Sequence, residues 1–149
     1  MSGLPRLVAS LGGIGFLKPA PGTWGSAAVL PLVLGGPVLC LAAAAALLAA
    51  GLWAVSRLRE KDADPPWVVV DEAAGQLIAL AGISHEPSPV QVAVAFVVFR
   101  GLDVTKPGPV GWADRQPGAW GVMLDDVVAG GLAAAALLAL GAAGFPWGL

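Results

Sequence analysis

Apolar residues run through this chain in long blocks, and the polar positions gather between them. From Pro19 to Ser56 no side chain is charged. Read as one helix, Ala27–Ser56 is too long for a single untilted span. Gly35-Gly36-Pro37 interrupts it, and such a triplet breaks helices. The pattern predicts two helices, about Trp24–Leu34 and about Val38–Arg59, joined as a hairpin. The first covers roughly 15 Å, half of a ~30 Å hydrocarbon core, and the second is long enough to cross. The alanine run Ala42–Ala46 suits close packing against another helix.

Ahead of this block, Leu4–Leu11 reads as a short interfacial segment rather than a cleaved signal. Its apolar patch is broken by Gly12, Gly13 and Gly15 and followed by Lys18. Residues 12–26 form a Gly/Pro-rich loop in which Pro19 and Pro21 resist helix and Gly22 permits a tight turn. Thr23 or Ser26 is expected to cap the next helix. The first N–H groups of that helix, with Lys18 nearby, offer a place for an anion.

The second half repeats the alternation. Val68-Val69-Val70 leads into a helix with Asp71 as N-cap and Glu72 in its first turn, ending near Ser84. Gln76 falls on the face of Glu72, four residues on. His85-Glu86-Pro87 is a turn. A fourth helix runs from Pro89 to about Thr105, with Arg100 and Asp103 on one face and Lys106 a turn further. Residues 107–121 read as a loop carrying Asp114, Arg115, Gly118 and Gly121. Met123 to about Gly144 is the last helix, entered through Asp125-Asp126, with Gly130 and Gly131 on a smooth packing face. The expected fold is all-α: a small polytopic membrane bundle of about five helices in one domain, residues 1–149. Two helical hairpins and a C-terminal helix make it up, and some helices are too short to span.

Composition agrees with a membrane bundle. Hydrophobic residues are 57% of 149, charged residues 12%, and the mean hydropathy is +0.80. Soluble domains usually hold 45–50% apolar residues. A net charge of −2 with no basic run gives no footprint for nucleic acid. The single Cys40, in mid-block, supports no disulfide, zinc site or cysteine nucleophile. Arg57–Asp64 is a solvated helix end and loop. The two hairpins put loop 12–26, run 57–72 and loop 103–126 on one side. All eight Lys and Arg lie there, with every acid except Glu86. By the positive-inside rule that side is cytoplasmic.

Ionisable groups beside lipid cost roughly 2.5–3.5 kcal/mol each, so a cluster of them calls for a function. Asp71, Glu72, Asp103, Asp114, Asp125 and Asp126 are six carboxylates from three segments. Lys18, Arg100, Lys106 and Arg115 are cations among them. Oxygen ligands in this number suit a hard cation, Mg²⁺ first. The cations and a helix N-terminus suit phosphate oxygens. Together they point to phosphoryl chemistry on a lipid headgroup. The chain holds no Cys-x₅-Arg loop, Ser/His pair, His-rich metal site or P-loop lysine. The residues themselves leave open which acid is ligand, base or structural partner.

Five stretches in order resemble one family: GFLKPAPGTWGS, VVDEAAGQLIAL, FRGLDVTKPGPV, ADR and GVMLDDVVAG are similar to the successive motifs of phosphatidylglycerophosphatase A. The resemblance covers about Gly13 to Ala133. It implies a Mg²⁺-dependent phosphatase of the bacterial inner membrane, multi-pass, with its active face to the cytoplasm. The implied reaction converts the phospholipid phosphatidylglycerophosphate to phosphatidylglycerol and phosphate. Catalytic roles fall by motif position to Asp71, Glu72, Asp103, Asp125 and Asp126. Of these, Asp71, Glu72, Asp125 and Asp126 are the metal ligands. Substrate contacts fall to Lys18, Thr23, Arg100, Lys106, Asp114 and Arg115. One departure is visible: Gly118-Ala119-Trp120-Gly121 stands where the family usually has a Gly-Gly pair before the last glycine. Alanine enters positive φ less freely than glycine. The other readings of the acids are a small ion- or proton-coupled transporter, a non-catalytic membrane scaffold, and a soluble bundle.

Overall fold

The structure is a computed structural model and describes residues 3–58 and 64–147. It is all-helical, in the order α1 (Gly3–Ala9), α2 (Pro21–Ala28), α3 (Gly36–Ser56), α4 (Val70–Leu80), α5 (Pro89–Thr105), α6 (Pro109–Asp114) and α7 (Gly118–Ala142). Short 3₁₀ segments lie at Ile14–Phe16 and Leu30–Gly35.

The first arm of the second expected hairpin occupies the centre. Helix α4 is roughly 16 Å long, and all of its residues except Glu72 and Ile78 are buried. Helices α2, α3, α5 and α7 surround it. Its contact with α7 is backbone against backbone. A Cβ on Gly75 would come within 2.6 Å of the Asp126 carbonyl oxygen and the Phe99 ring, and one on Gly130 would overlap the Gly75 carbonyl. Small residues at such a crossing let helices approach closely. Gly130→Ala is therefore expected to lower stability by about 1–3 kcal/mol, as overpacking does. Gly131→Ala, next to it in open space, is expected to be neutral or slightly stabilising. Thermal unfolding of the two variants in detergent checks the pair.

The chain reverses at Gly36, whose φ of +82° lies in the region that favours glycine. Leu32 O accepts from Cys40 Sγ at 3.7 Å, and Val29, Val33, Cys40 and Ala44 share one apolar cluster. The arms thus fold back on each other as a hairpin. The first arm differs in detail from the expectation. Pro21 starts α2 rather than resisting it, because its missing N–H and fixed φ suit the first helical position. The N-cap is Ala20, without a side-chain bond. Thr23 and Ser26 are inside the helix, where Ser26 Oγ donates to Gly22 O at 2.9 Å. Gly22 is helical and buried rather than a turn. The alanine run packs mainly through Ala44, while Ala42, Ala45 and Ala46 stay exposed.

Other boundaries move as well. Val69 is the N-cap of α4, so Asp71 lies in the first turn instead of capping it, and α4 ends at Leu80 rather than Ser84. The expected loop 107–121 contains α6, again begun by a proline. Helix α7 starts at Gly118, which places Asp125 and Asp126 in its third turn instead of at its entrance. The positive φ of that junction, +69°, falls on Gly118. Ala119 is helical and carries no strain, and Gly121 sits where a Cβ would overlap Gln116 O.

Helix α1 belongs to the packed body: Val69 N donates to Ala9 O at 2.9 Å, and Arg6 lies 5.0 Å from the Trp67 ring centroid. Helix α5 keeps its expected bounds, fixed by a Ser88–Gln91 capping box and Pro89. Pro21–Ser56 and Gly118–Ala142 are long and apolar enough to cross a membrane, by length and composition. Since the chain turns at Gly36, the crossing length in the first falls to α3, roughly 32 Å. Large apolar side chains face outward, among them Leu34, Val38, Val97 and Leu138. Arg59 and Lys61, expected at a helix end, lie outside the described residues.

Candidate active site

The start of α4, the end of α5, the end of α6 and the third turn of α7 converge on one end of the bundle. Glu86 is at the other end, where Ser88 Oγ donates to Trp147 O at 2.9 Å. Asp71, Asp103, Asp125 and Asp126 are buried, and Glu72 is half-buried. These five carboxylates form two overlapping triads. Oxygens of Asp71, Glu72 and Asp126 lie within 4.8 Å of one another, and so do those of Asp103, Asp125 and Asp126. Asp126 belongs to both.

Two cations sit on this cluster. Arg100 pairs with Asp103 one turn along α5. Lys106 is the C-cap of α5 in a left-handed conformation, φ +49°, unusual for a residue with a Cβ. That bend brings its ammonium to Asp114 at 2.8 Å and to Asp125. Burial alone would lower the lysine pKa; the hydrogen bonds that Lys106 donates to Asp114 and Asp125, with the charges of those carboxylates, outweigh burial and raise it. Burial pushes Asp71 up, and the Glu72 and Asp126 charges add to that. Burial also raises Glu72, against a hydrogen bond with Asp71. An acid site this dry is short of positive charge.

The donor set fits a divalent cation. Three buried carboxylate oxygens, Glu72 Oε2, Asp125 Oδ1 and Asp126 Oδ1, have no hydrogen-bond partner among the described residues. Buried polar atoms are nearly always paired, and carboxylate oxygens are what Mg²⁺ takes as ligands.

Of the other residues singled out in the sequence, Asp114 is exposed but tied to Lys106. Lys18 and Arg115 are exposed and make no ion pair among the described residues. Thr23 is half-buried in the first turn of α2. Two neighbours of the cluster stand outside the expected set of site residues. A Cβ on Gly22 would overlap Glu72 Oε1 and come within 3.2 Å of Arg100 Nη2. Gln76, fully buried, has neither amide atom partnered among the described residues; its helical spacing from Glu72 is the available hint.

Clustered carboxylates with an arginine and a lysine, at one end of an apolar helical bundle, define a class: hydrolases of phosphate esters that work at a lipid surface. The comparisons give the family. The family model described as phosphatidylglycerophosphatase A matches residues 7–141, and the chain belongs to that family of phospholipid phosphatases, which are phosphoric monoester hydrolases.

Three curated relatives are similar to it. A Bacteroides thetaiotaomicron protein, named provisionally as a phosphatidylinositol-3-phosphatase, is 36% identical over 85% of this chain and 87% of its own. Phosphatidylglycerophosphatase A of Haemophilus influenzae is 34% identical over 78% of this chain and 76% of its own. The Escherichia coli protein of that name is 41% identical over 50% of this chain and 43% of its own. No solved structure matches the chain significantly.

Proposed function

We propose that the protein is a Mg²⁺-dependent phosphatase that converts phosphatidylglycerophosphate to phosphatidylglycerol at the cytoplasmic face of a bacterial inner membrane. The observation that carries this reading is the pair of carboxylate triads sharing Asp126, with partnerless buried oxygens, beside Arg100 and Lys106. Asp71, Glu72, Asp125 and Asp126 would hold Mg²⁺, which supplies Lewis acidity and charge neutralisation at a phosphoryl group. Arg100 has five N–H donors and spends only part of them on Asp103. The rest, with Lys106, hold the oxygens of the terminal phosphate. A carboxylate of the Asp71–Glu72 pair accepts the proton of the attacking water. The water oxygen bonds to phosphorus as the P–O bond to glycerol breaks, and the proton taken by the carboxylate passes to the departing alkoxide. The exposed Lys18 and Arg115 suit the second, diester phosphate, and Thr23 is a hydroxyl beside Gly22.

The test is phosphate release from phosphatidylglycerophosphate by detergent-purified protein, with Mg²⁺ and with EDTA. Release with Mg²⁺, abolished by EDTA and restored by excess Mg²⁺, is the expected result. No release in either condition from folded protein overturns the reading. The Bacteroides relative makes phosphatidylinositol 3-phosphate the second substrate to compare.

A further inference from the structure

Gln76 is fully buried in α4, and neither Nε2 nor Oε1 has a hydrogen-bond partner among the described residues. Buried polar atoms are nearly always paired, and an orphaned amide costs stability. Gln91, also buried, shows the ordinary case: its Oε1 accepts from Ser88 N and Ser84 Oγ, each at 3.0 Å. For Gln76 the donor stays free whichever way the amide is turned, because both of its ends are unpartnered. Side chains three and four residues apart on a helix are neighbours. For Gln76 those within α4 are Glu72, Ala73, Ala79 and Leu80. Glu72 alone among them carries polar side-chain atoms. Its Oε2 is buried and likewise unpartnered among the described residues. An ionised carboxylate only accepts hydrogen bonds, and a glutamine amide can donate two.

We propose that Gln76 is a positioning residue of the metal site: its Nε2–H donates to Glu72 Oε2 and holds that carboxylate in the triad with Asp71 and Asp126. This rests on the metal ligation in the phosphatase reading above. Each carboxylate oxygen has two lone pairs, so Oε2 accepts from the amide without being lost to an ion. Glu72 needs the restraint more than the other three ligands of that reading. It is the one glutamate among them, with an extra rotatable bond to fix. The residue beside it, Gly22, has no side chain to confine it. Carboxylates that ligate metals are themselves held by hydrogen bonds, and losing such a partner typically costs about 10–100-fold in metal affinity.

The test titrates the thermal midpoint of detergent-purified protein with Mg²⁺, without substrate, for the unaltered protein and for Gln76→Met. Methionine keeps the length and unbranched shape and removes the donor. The half-saturating Mg²⁺ concentration is expected to rise about 10–100-fold. The midpoint in EDTA is expected to equal or exceed that of the unaltered protein, since no amide is left buried without a partner. Gln76→Leu, of similar volume, repeats the test where methionine does not fold. An unchanged Mg²⁺ concentration with a midpoint lowered equally in EDTA and in Mg²⁺ marks an amide that serves packing alone, and overturns the proposal. Glu72→Asp withdraws the carboxylate from the reach of Gln76. In that background Gln76→Met is expected to weaken Mg²⁺ no further, as a double-mutant cycle reads coupling. A weakening of the same size with and without Glu72 overturns the pairing. No Mg²⁺-dependent shift in the unaltered protein overturns the metal-dependent phosphatase reading itself, and the role of Gln76 with it.

Discussion

Asp126→Asn is expected to lower phosphate release by at least about 10³-fold, about 4 kcal/mol of barrier, while the protein stays folded. Asp126 is the one carboxylate common to both triads. Its Oδ1 is buried without a partner among the described residues. Asparagine keeps the shape and removes the charge, so the loss reports on the charge. Stability should move the other way. Without metal, five carboxylates crowd around two cations, and a neutral side chain relieves that repulsion. The thermal midpoint in EDTA is expected to equal or exceed that of the unaltered protein. Adding Mg²⁺ should raise the midpoint of the unaltered protein by mass action and raise that of Asp126→Asn far less. Activity, with the two midpoints, checks all three statements. Full activity in Asp126→Asn would remove this residue from the site.

Much of this arrangement is legible in the sequence because it is set by local spacing. Arg100 and Asp103 are three residues apart on a helix, and they do pair. Pro89 to Thr105 is bounded by a capping box and by prolines, and those signals are local. The reversal at Gly36 is written in Gly35-Gly36-Pro37. What escapes is whatever depends on a partner distant in the chain. Residues 107–121 look like a loop because Pro107 and Pro109 end the helix before them. Yet Pro109 sits at a helix start, where proline is favoured. Asp71 looks like an N-cap, since acids cap helices, but the fold ties Val69 N to Ala9 O and begins the helix two residues earlier. Lys18 and Arg115 look equivalent to Lys106 as charges. Only Lys106 is aimed at the acids, through a backbone bend that no spacing reveals. Gly22 reads as a turn glycine, and its role appears only when α4 and α5 are packed beside it.

That glycine gives the second large effect. Gly22→Ala places a methyl where Glu72 Oε1 lies and within 3.2 Å of Arg100 Nη2. Both obstacles are the ends of flexible side chains, not backbone. The helix can therefore form and the bundle can close, but the carboxylate and the guanidinium must shift. A displacement of about 1 Å in a site of this kind costs on the order of 10²-fold in rate. The expected result is a thermal midpoint near that of the unaltered protein and a kcat about 10²-fold lower. Gly25→Ala is the contrast within the same helix. Its Cβ would meet Val69, including the backbone oxygen at 3.1 Å, so it should weaken the packing of α2 on α4 and lower the midpoint. Paired measurements of midpoint and kcat separate a glycine that leaves room for the chemistry from one that leaves room for the fold. A Gly22→Ala protein with full kcat would mean that Glu72 and Arg100 do not need their present positions, and both would lose their place in the proposed site.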